Sequence, residues 1–318
     1  MSDVVYDDPE IQALGLRLQD DDSTVRRIAL RNLADIADEE HAPLFIDALR
    51  DPAAEVRLEA VKALEAWETL PVVAGLVARL SDPDAEVREA ASLTLAELKL
   101  PVSSAELLPH ALHRDAFVRA SVLRALRELR VAGSLAPGLA ALADPDAAVR
   151  REAVAVLGYL KHADALASLM KLGAADPEPE VRRAALGALG YSSDNSVLAA
   201  LLSGLADPVW QVREEAAGTL GKLALHEAVA ELIVALDDDY WQVRLRAARS
   251  LGRLRLAVAV PALIEALRHS ISNLRKEAAL ALGEIGEAAA LPALALVADD
   301  PDPEVRKAVR LAIGQIGG

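Results

Sequence analysis

The chain has 318 residues, of which 53% are hydrophobic and only 3% aromatic, so alanine, leucine and valine must supply its interior. Its formal net charge of −15 opposes binding to a phosphate backbone, which requires a concentrated basic surface, and we expect no nucleic-acid partner. The absence of cysteine excludes disulfides, thiolate metal sites and cysteine nucleophiles.

The first residues carry no recognisable targeting signal. Residues 1–8 include three aspartates and lack both the basic and the apolar region of a signal peptide. No apolar run along the chain is long enough to span a bilayer. We therefore expect a cytoplasmic location and no membrane partner.

A Val-Arg pair recurs through the whole sequence and defines tandem repeats. The interval is 31 residues, with a single interval of 32, and Leu replaces Val in the ninth repeat. The ten pairs are Val25-Arg26, Val56-Arg57, Val87-Arg88, Val118-Arg119, Val149-Arg150, Val181-Arg182, Val212-Arg213, Val243-Arg244, Leu274-Arg275 and Val305-Arg306. Such a period indicates stacked units, so we expect one elongated domain over residues 1–318, with an atypical capping repeat at each end.

Each repeat is predicted to be a hairpin of two helices. In the second repeat, Asp51-Pro52 marks a helix start, with Asp capping free backbone N–H groups and Pro in the first turn. Counting from the anchor Val56 as zero, apolar residues fall at 0, +4, +8 and +11, which is a buried helical stripe. We call this helix B and the apolar-periodic segment before it, such as residues 261–268, helix A. A glycine at +9 in the later repeats either eases the end of helix B or lets neighbouring helices approach.

Arginine follows the anchor in all ten repeats, and aspartate precedes the anchor by five residues in eight of them. A feature shared by every repeat is better explained by the fold than by a ligand. We therefore predict an Asp-Arg network that joins adjacent loops and fixes the stacking. His113 and His269 replace this aspartate in the two remaining repeats.

The pattern Asp-Pro-x-x-x-Val-Arg-x-x-Ala-x-x-x-Leu resembles the short HEAT-like repeats of the phycobilisome-lyase type. The second repeat carries it as Asp51-Pro52, Val56-Arg57, Ala60 and Leu64. The resemblance implies an all-α fold, a right-handed α-solenoid of about ten helical hairpins. It also implies a range of activities, because that class includes scaffolds, chromophore-lyase subunits, a di-iron hydroxylase and engineered binders.

Ligand choice should depend on the helix-B positions that face away from the buried stripe, which line the concave surface in the resembling proteins. Two of these positions carry Trp210-Gln211 in the seventh repeat and Trp241-Gln242 in the eighth. The other candidates are Tyr240 in place of an acidic residue, the small Gly187 and Gly218 at +6, which we expect to leave open space, and Tyr159 and Tyr191 at +10. Tryptophan and tyrosine bury a large area with few rotatable bonds, so they are favoured at interfaces. The alternative is that these aromatic residues only cover neighbouring loops.

Basic residues add to the same face of the eighth repeat. Arg246, Arg249 and Arg253 could attract carboxylates of a partner or ligand. Alternatively, they form a solvated surface that nearby glutamates balance.

No phosphate-binding loop, serine nucleophile motif or zinc motif is present in the sequence, and the six histidines form no metal-ligand pattern. We therefore predict no catalytic residue, no metal and no cofactor. The favoured function is a non-catalytic scaffold that binds another protein on the helix-B face. The alternative, implied by the resemblance, is a chromophore-lyase or cofactor-handling subunit that binds a bilin-like ligand.

Overall fold

A computed structural model describes residues 8–193 and 195–317 of the chain. These residues form helices and contain no strand. The chain divides into two compact units, residues 1–160 and residues 161–318. The predicted absence of a signal peptide concerns residues that, except for Asp8, lie outside the described part.

Among the described residues, ten α-helices build each unit, and they alternate between helix A (odd numbers) and helix B (even numbers). The first unit contains α1 (Pro9–Arg17), α2 (Ser23–Ala34), α3 (Ala42–Ala48), α4 (Ala54–Ala63), α5 (Leu70–Arg79), α6 (Ala85–Ala96), α7 (Ser104–Leu107), α8 (Ala116–Leu129), α9 (Leu135–Ala141) and α10 (Ala147–Leu160). The second unit contains α11 (Leu166–Ala175), α12 (Pro179–Ala188), α13 (Leu198–Leu205), α14 (Trp210–Lys222), α15 (Val229–Val234), α16 (Trp241–Leu254), α17 (Val260–Ala266), α18 (Ser272–Ile285), α19 (Leu291–Leu296) and α20 (Pro303–Gly317).

Short 3-10 segments extend many of these helices. They are Glu39–His41, Leu64–Ala66, Pro101–Ser103, Leu108–His110, Ala132–Ser134, Ala163–Ala165, Leu189–Tyr191, Asn195–Val197, His226–Ala228, Ala235–Asp237, Ala257–Ala259 and Ala288–Ala290. Within each unit, every helix B packs against helix A of its own repeat and against helix B of the next repeat. The predicted all-α solenoid of helical hairpins is thereby confirmed. No helix among the described residues combines the length and the apolar character needed to cross a membrane.

The start of helix B differs from the prediction. Asp51 and Pro52 lie in the loop, and α4 begins only at Ala54. The N-cap is the residue at −3, and in α6 the side chain of Asp84 at this position accepts hydrogen bonds from the backbone N–H groups of Glu86 and Val87. The aspartate at −5 lies two residues before the N-cap, and its carboxylate pairs with an arginine of the preceding repeat and accepts the backbone N–H of the N-cap residue.

This aspartate and the arginine after the anchor form the predicted network between loops, which we call the Arg-Asp ladder. Arg57 Nε and Nη2 donate to Asp82 Oδ2 and Oδ1 at 2.8 and 2.6 Å, and Asp82 Oδ1 also accepts the N–H of Asp84 at 3.0 Å. Arg57 Nη1 donates to the carbonyls of Asp51 and Pro52 in its own loop. The same two-point pairing joins Arg26 to Asp51, Arg119 to Asp144, Arg182 to Asp207, Arg213 to Asp238 and Arg275 to Asp300. Each pair therefore ties two consecutive repeats together.

The ladder makes the fold sensitive to acid. Burial raises the pKa of Asp207, but hydrogen bonds from Arg182 and from the N–H of Val209 outweigh it, and the pKa lies below its usual value. The other five aspartates of these pairs shift in the same direction. A lowered pKa in the folded state contributes stability that is complete above the unfolded pKa and is lost as the pH falls through the folded pKa.

We expect the urea midpoint of the protein to fall steadily as the pH is lowered from 5 to about 2. Asp207→Asn should lower the free energy of unfolding by about 2–3 kcal/mol at pH 7, because Arg182 loses a charged acceptor. Asp239→Asn is the control, since Asp239 is exposed in the neighbouring loop and should change stability little. An equal effect of the two substitutions would contradict a stabilising role of the ladder.

The glycine at +9 serves close approach between helices B. A Cβ on Gly252 would lie 2.8 Å from Cα of Ala281, and a Cβ on Gly283 would lie 2.8 Å from Cα of Ala312. Both neighbours are backbone atoms of the next helix B and cannot move independently. In α16 and α18 the structure therefore supports the predicted role in which this glycine lets neighbouring helices approach.

Gly252→Ala should destabilise the protein by about 1–3 kcal/mol, because the added methyl group forces α16 and α18 apart. The matched control is Gly314→Ala at the same register position of α20, where a Cβ would meet no atom within 4 Å. That control should be neutral or stabilising by up to about 1 kcal/mol, since alanine favours the helix. Urea denaturation of both variants checks the prediction, and a stable Gly252→Ala variant would refute it.

Candidate functional site

A pocket of about 190 Å³ lies on the second unit, between α12, α14 and α16. Its lining residues are Gly187, Glu215, Gly218, Thr219, Lys222, Arg246 and Arg253. Four of them, Gly187, Gly218, Arg246 and Arg253, are candidates predicted from the sequence. The structure therefore brings together the small and the basic candidates on three consecutive repeats.

The small residues at +6 do not leave open space as predicted. A Cβ on Gly187 would lie 2.8 Å from Oε1 of Glu215, and a Cβ on Gly218 would lie 3.0 Å from Cδ of Arg246. In both cases the side chain at +3 of the following repeat lies over the glycine. The glycines allow these long side chains to lie flat on the helix surface, so the pocket is lined by charged groups rather than by bare backbone.

The basic side chains divide into paired and unpaired groups. Arg249 makes a two-point ion pair with Glu277 at 2.7 and 2.9 Å, and Arg246 Nη2 donates to Glu214 at 3.0 Å. Lys222 and Arg253 form no hydrogen bond or ion pair with any residue in the described part of the chain. Arg246 and Arg249 are therefore balanced by nearby glutamates, as one alternative predicted. Arg253 remains available for a carboxylate of a partner or ligand, as the other alternative predicted.

Glu215 is the acidic group of the pocket. Burial raises its pKa, and the positive charges of Arg183, Arg246 and Lys222 oppose that shift without cancelling it. The pocket thus combines two unpaired cations with a carboxyl group whose ionised form is disfavoured.

Three aromatic side chains form a second feature at the start of α14 and α16, which we call the aromatic patch (Trp210, Tyr240 and Trp241). The rings of Trp210 and Tyr240 stack with centroids 5.5 Å apart and planes 15° apart. The guanidinium of Arg213 lies over the Tyr240 ring at 5.7 Å. Tyr240 is 45% exposed and Trp241 is 39% exposed. None of the three rings lines the pocket.

The N-cap position of helix B carries a capping aspartate in α2, α6, α8, α10 and α20, whereas α4, α12, α14, α16 and α18 have no capping side chain there. Tyr240 is the N-cap residue of α16 and Val209 that of α14, and neither side chain makes a capping hydrogen bond. Asp84 and Asp115 perform this role in α6 and α8. A lost capping side chain costs about 1 kcal/mol. The seventh and eighth repeats therefore carry apolar or aromatic groups where a stabilising acid would fit.

The two predicted glutamines lie next to the tryptophans, and both are partly buried. Gln242 is spaced four, seven and eleven residues from Arg246, Arg249 and Arg253, so these residues share one face of α16. Its Oε1 is buried and has no hydrogen-bond partner. An unsatisfied buried oxygen of this kind costs about 1–3 kcal/mol. Gln211 holds the corresponding place on α14.

The tyrosines at +10 have local partners. The hydroxyl of Tyr191 donates to the carbonyl of His162 at 3.2 Å, which fixes the ring to the preceding loop. Tyr159 belongs to the first unit, where Arg127 and Arg130 lie over its ring at 5.9 and 5.0 Å. Tyr191 thus agrees with the alternative that an aromatic residue at +10 covers a neighbouring loop.

One group of potential metal ligands was not predicted from the sequence. Ligand atoms of Asp38, Glu40 and His41 lie within 4.8 Å of one another in the first unit. His41 Nδ1 and the Asp38 carboxylate form a capping box around the segment Glu39–His41. These contacts explain the cluster through the local backbone.

Replacing Glu215 by Gln should raise the free energy of unfolding at pH 7 and leave it unchanged near pH 4. Because the folded pKa is raised, the wild-type protein loses stability as the pH increases from the unfolded pKa through the folded pKa, whereas the neutral amide does not. Glu214→Gln is the control, because it removes the partner of Arg246 and should give no gain at pH 7. Thermal unfolding at pH 7 and near pH 4 checks this prediction. A stability difference between Glu215→Gln and the wild-type protein that is the same at both pH values would contradict the raised pKa of Glu215.

Comparisons with known proteins place this arrangement in a family. A model of HEAT repeats matches residues 11–73, 55–127, 135–221, 173–241 and 229–314. No curated protein matches the chain. The match does not single out the phycobilisome-lyase type.

Solved structures share the fold. An engineered protein is 21% identical, with 97% of this chain and 99% of that chain covered and a TM-score of 0.55. Kap121p bound to Ste12p is 16% identical, with 100% of this chain and 42% of that chain covered and a TM-score of 0.68. Kap95p, solved with RanGDP, is 16% identical, with 96% and 50% covered and a TM-score of 0.63. The chain spans half the length of the karyopherins or less.

Proposed function

We propose that this chain, which belongs to the family of HEAT-repeat proteins, is a non-catalytic scaffold that binds another protein on the helix-B face of its seventh and eighth repeats. The observation that carries the proposal is the exposed aromatic patch. Tyr240 and Trp241 remain 45% and 39% exposed although large apolar side chains gain free energy on burial. A partner surface would bury them.

The aromatic patch and its surroundings reduce the stability of the free protein, and this supports a binding role. Val209 and Tyr240 replace side chains that could cap α14 and α16, and Gln242 keeps a buried oxygen without a partner. Groups that reduce stability in the free protein are expected where a partner later satisfies them. A patch that only covered neighbouring loops would not require Trp241 to stay exposed.

The pocket on the same two helices indicates the chemistry of the partner. Lys222 and Arg253 lack an acidic partner among the described residues, in a chain whose net charge is −15. We therefore expect the partner to place an acidic side chain in the pocket and apolar groups against the aromatic patch. The structure of Kap121p bound to Ste12p is an example of a similar fold in protein recognition.

Trp210→Ala combined with Trp241→Ala should weaken partner binding by at least about 2 kcal/mol, or about 30-fold in Kd. The partner is first isolated with the immobilised wild-type protein from cells of the source organism, and its Kd is then measured by calorimetry. Val234→Ala is the matched control, because Val234 is 73% exposed on α15, the helix A of the same repeat as Trp241. An unchanged Kd for a double variant with wild-type circular dichroism would overturn the proposal.

A bilin-like ligand is the alternative that the resemblance raised. Lys222 and Arg253 would suit its propionates, but the Trp210 and Tyr240 rings are stacked on each other and leave no gap for a flat chromophore between them. This stacking favours a protein partner. Titration with a tetrapyrrole separates the two, since a bound chromophore would show a shifted absorption band and a scaffold would not.

A further inference from the structure

The Arg-Asp ladder is interrupted at two places, and the two interruptions differ. His113 and His269 stand where other repeats place the aspartate that pairs with the preceding arginine. In both cases His Nδ1 takes over one task of that aspartate, by accepting the backbone N–H two residues later at 3.1 Å. The two interruptions differ in the contacts that the preceding arginine makes.

The interruption at His269 is closed. Arg244 Nη1 lies 2.6 Å from Nε2 of His269, and Arg244 Nε donates to the carbonyl of Asp238. The imidazole therefore occupies the place of the missing carboxylate and contacts the guanidinium directly.

The interruption at His113 is open. Arg88 Nη1 donates to the carbonyls of Asp82 and Pro83 at 2.9 and 3.2 Å, as in the other repeats. Its Nε and Nη2 have no acceptor in the described residues, and no contact joins it to His113. A pocket of about 620 Å³ lies here, lined by Ser81, Asp82, Arg88, His113, Arg114, Asp115 and Phe117.

The lining of this pocket offers several donors and few free acceptors. Because His113 Nδ1 accepts the N–H of Asp115, the proton of the neutral ring is on Nε2, which is then a donor. Arg114 is exposed and makes only backbone contacts in the described residues. The carboxylate of Asp82 is already held by Arg57 and Arg79, and that of Asp115 accepts the N–H of Phe117.

The aromatic ring of Phe117 supplies the apolar wall of the pocket. The guanidinium of Arg88 lies over this ring, 6.0 Å from its centroid. An aromatic face holds a guanidinium in place without using its N–H groups. Arg88 is thus oriented while two of its donors stay available.

We propose that this pocket binds a carboxylate group, which takes the position of the missing ladder aspartate and accepts two hydrogen bonds from Nε and Nη2 of Arg88. The six intact Arg-Asp pairs show the expected geometry, with N–O distances of 2.6 to 2.9 Å. A singly charged, planar group fits better than a phosphate dianion, because Asp82 and Asp115 also line the pocket. The site lies in the first unit and does not depend on the proposed function of the second.

The carboxylate can come from a small molecule or from an acidic side chain of a protein, and the experiment separates these sources. The full-length chain, labelled with ¹⁵N, is titrated at constant ionic strength with acetate and with N-acetyl-aspartate amide. The Nε–Hε signal of Arg88, assigned by its loss in Arg88→Lys, reports binding. Acetamide and N-acetyl-asparagine amide serve as uncharged probes of the same shape.

We expect saturable shifts of the Arg88 signal with both carboxylates and none with the amides. Equal affinity for acetate and the aspartate derivative would identify a site for small carboxylates, and tighter binding of the derivative would identify a site for an acidic side chain. His113→Asp restores the ladder residue, so it should weaken binding about tenfold or more by occupying Arg88.

His269→Asp is the matched control, because it restores the same residue at the closed interruption and should leave the affinity within about twofold of wild type. Both variants introduce the residue that eight repeats already carry at this position, so both are expected to fold. The proposal is overturned if the wild-type Arg88 signal shows no saturable shift, or if His113→Asp binds acetate as the wild-type protein does.

Discussion

The Arg-Asp ladder is the constraint on which the other features of this structure depend. Each ladder arginine donates to two carbonyls of its own loop and to the aspartate of the next repeat, and that aspartate also accepts a backbone N–H. The backbone N–H that this aspartate accepts belongs to the residue at −3, which is the N-cap of helix B. The residues at −2, −1, +3, +6 and +10 are not required by the ladder, and the candidate functional groups lie there or at the cap.

The repetition of the sequence made the fold predictable. Ten copies of one pattern give the hairpin, its buried stripe and the Arg-Asp pairs without knowledge of any contact, and the structure confirms these predictions. The predictions that were wrong concern contacts between one repeat and the next. Aspartates at −5 and −3 are both plausible caps, and only the approach of the preceding arginine distinguishes them. The open space expected over Gly187 is likewise filled by Glu215, which belongs to the next repeat.

The same limit applies to the functional groups. Sequence position identified Trp210 and Tyr240 as unusual, but their stacking joins two repeats and follows from no single repeat. The substitutions of His113 and His269 are identical in sequence, yet one leaves an open pocket and the other closes the gap. A physical reason lies four residues after each histidine. Phe117 offers Arg88 an aromatic face, whereas the equivalent residue Asn273 offers Arg244 none.

These departures are tolerable because a repeat stack distributes their cost. Stability in such a stack is approximately the sum of the stabilities of its repeats and of the interfaces between neighbours. The loss of one capping side chain, as at Tyr240, costs about 1 kcal/mol and affects mainly its own repeat and the adjacent ones. The intact pairs on either side, Arg213 with Asp238 and Arg275 with Asp300, continue to hold the register. A chain of this kind can therefore acquire binding groups by giving up single ladder or capping residues, provided that the neighbouring repeats keep theirs.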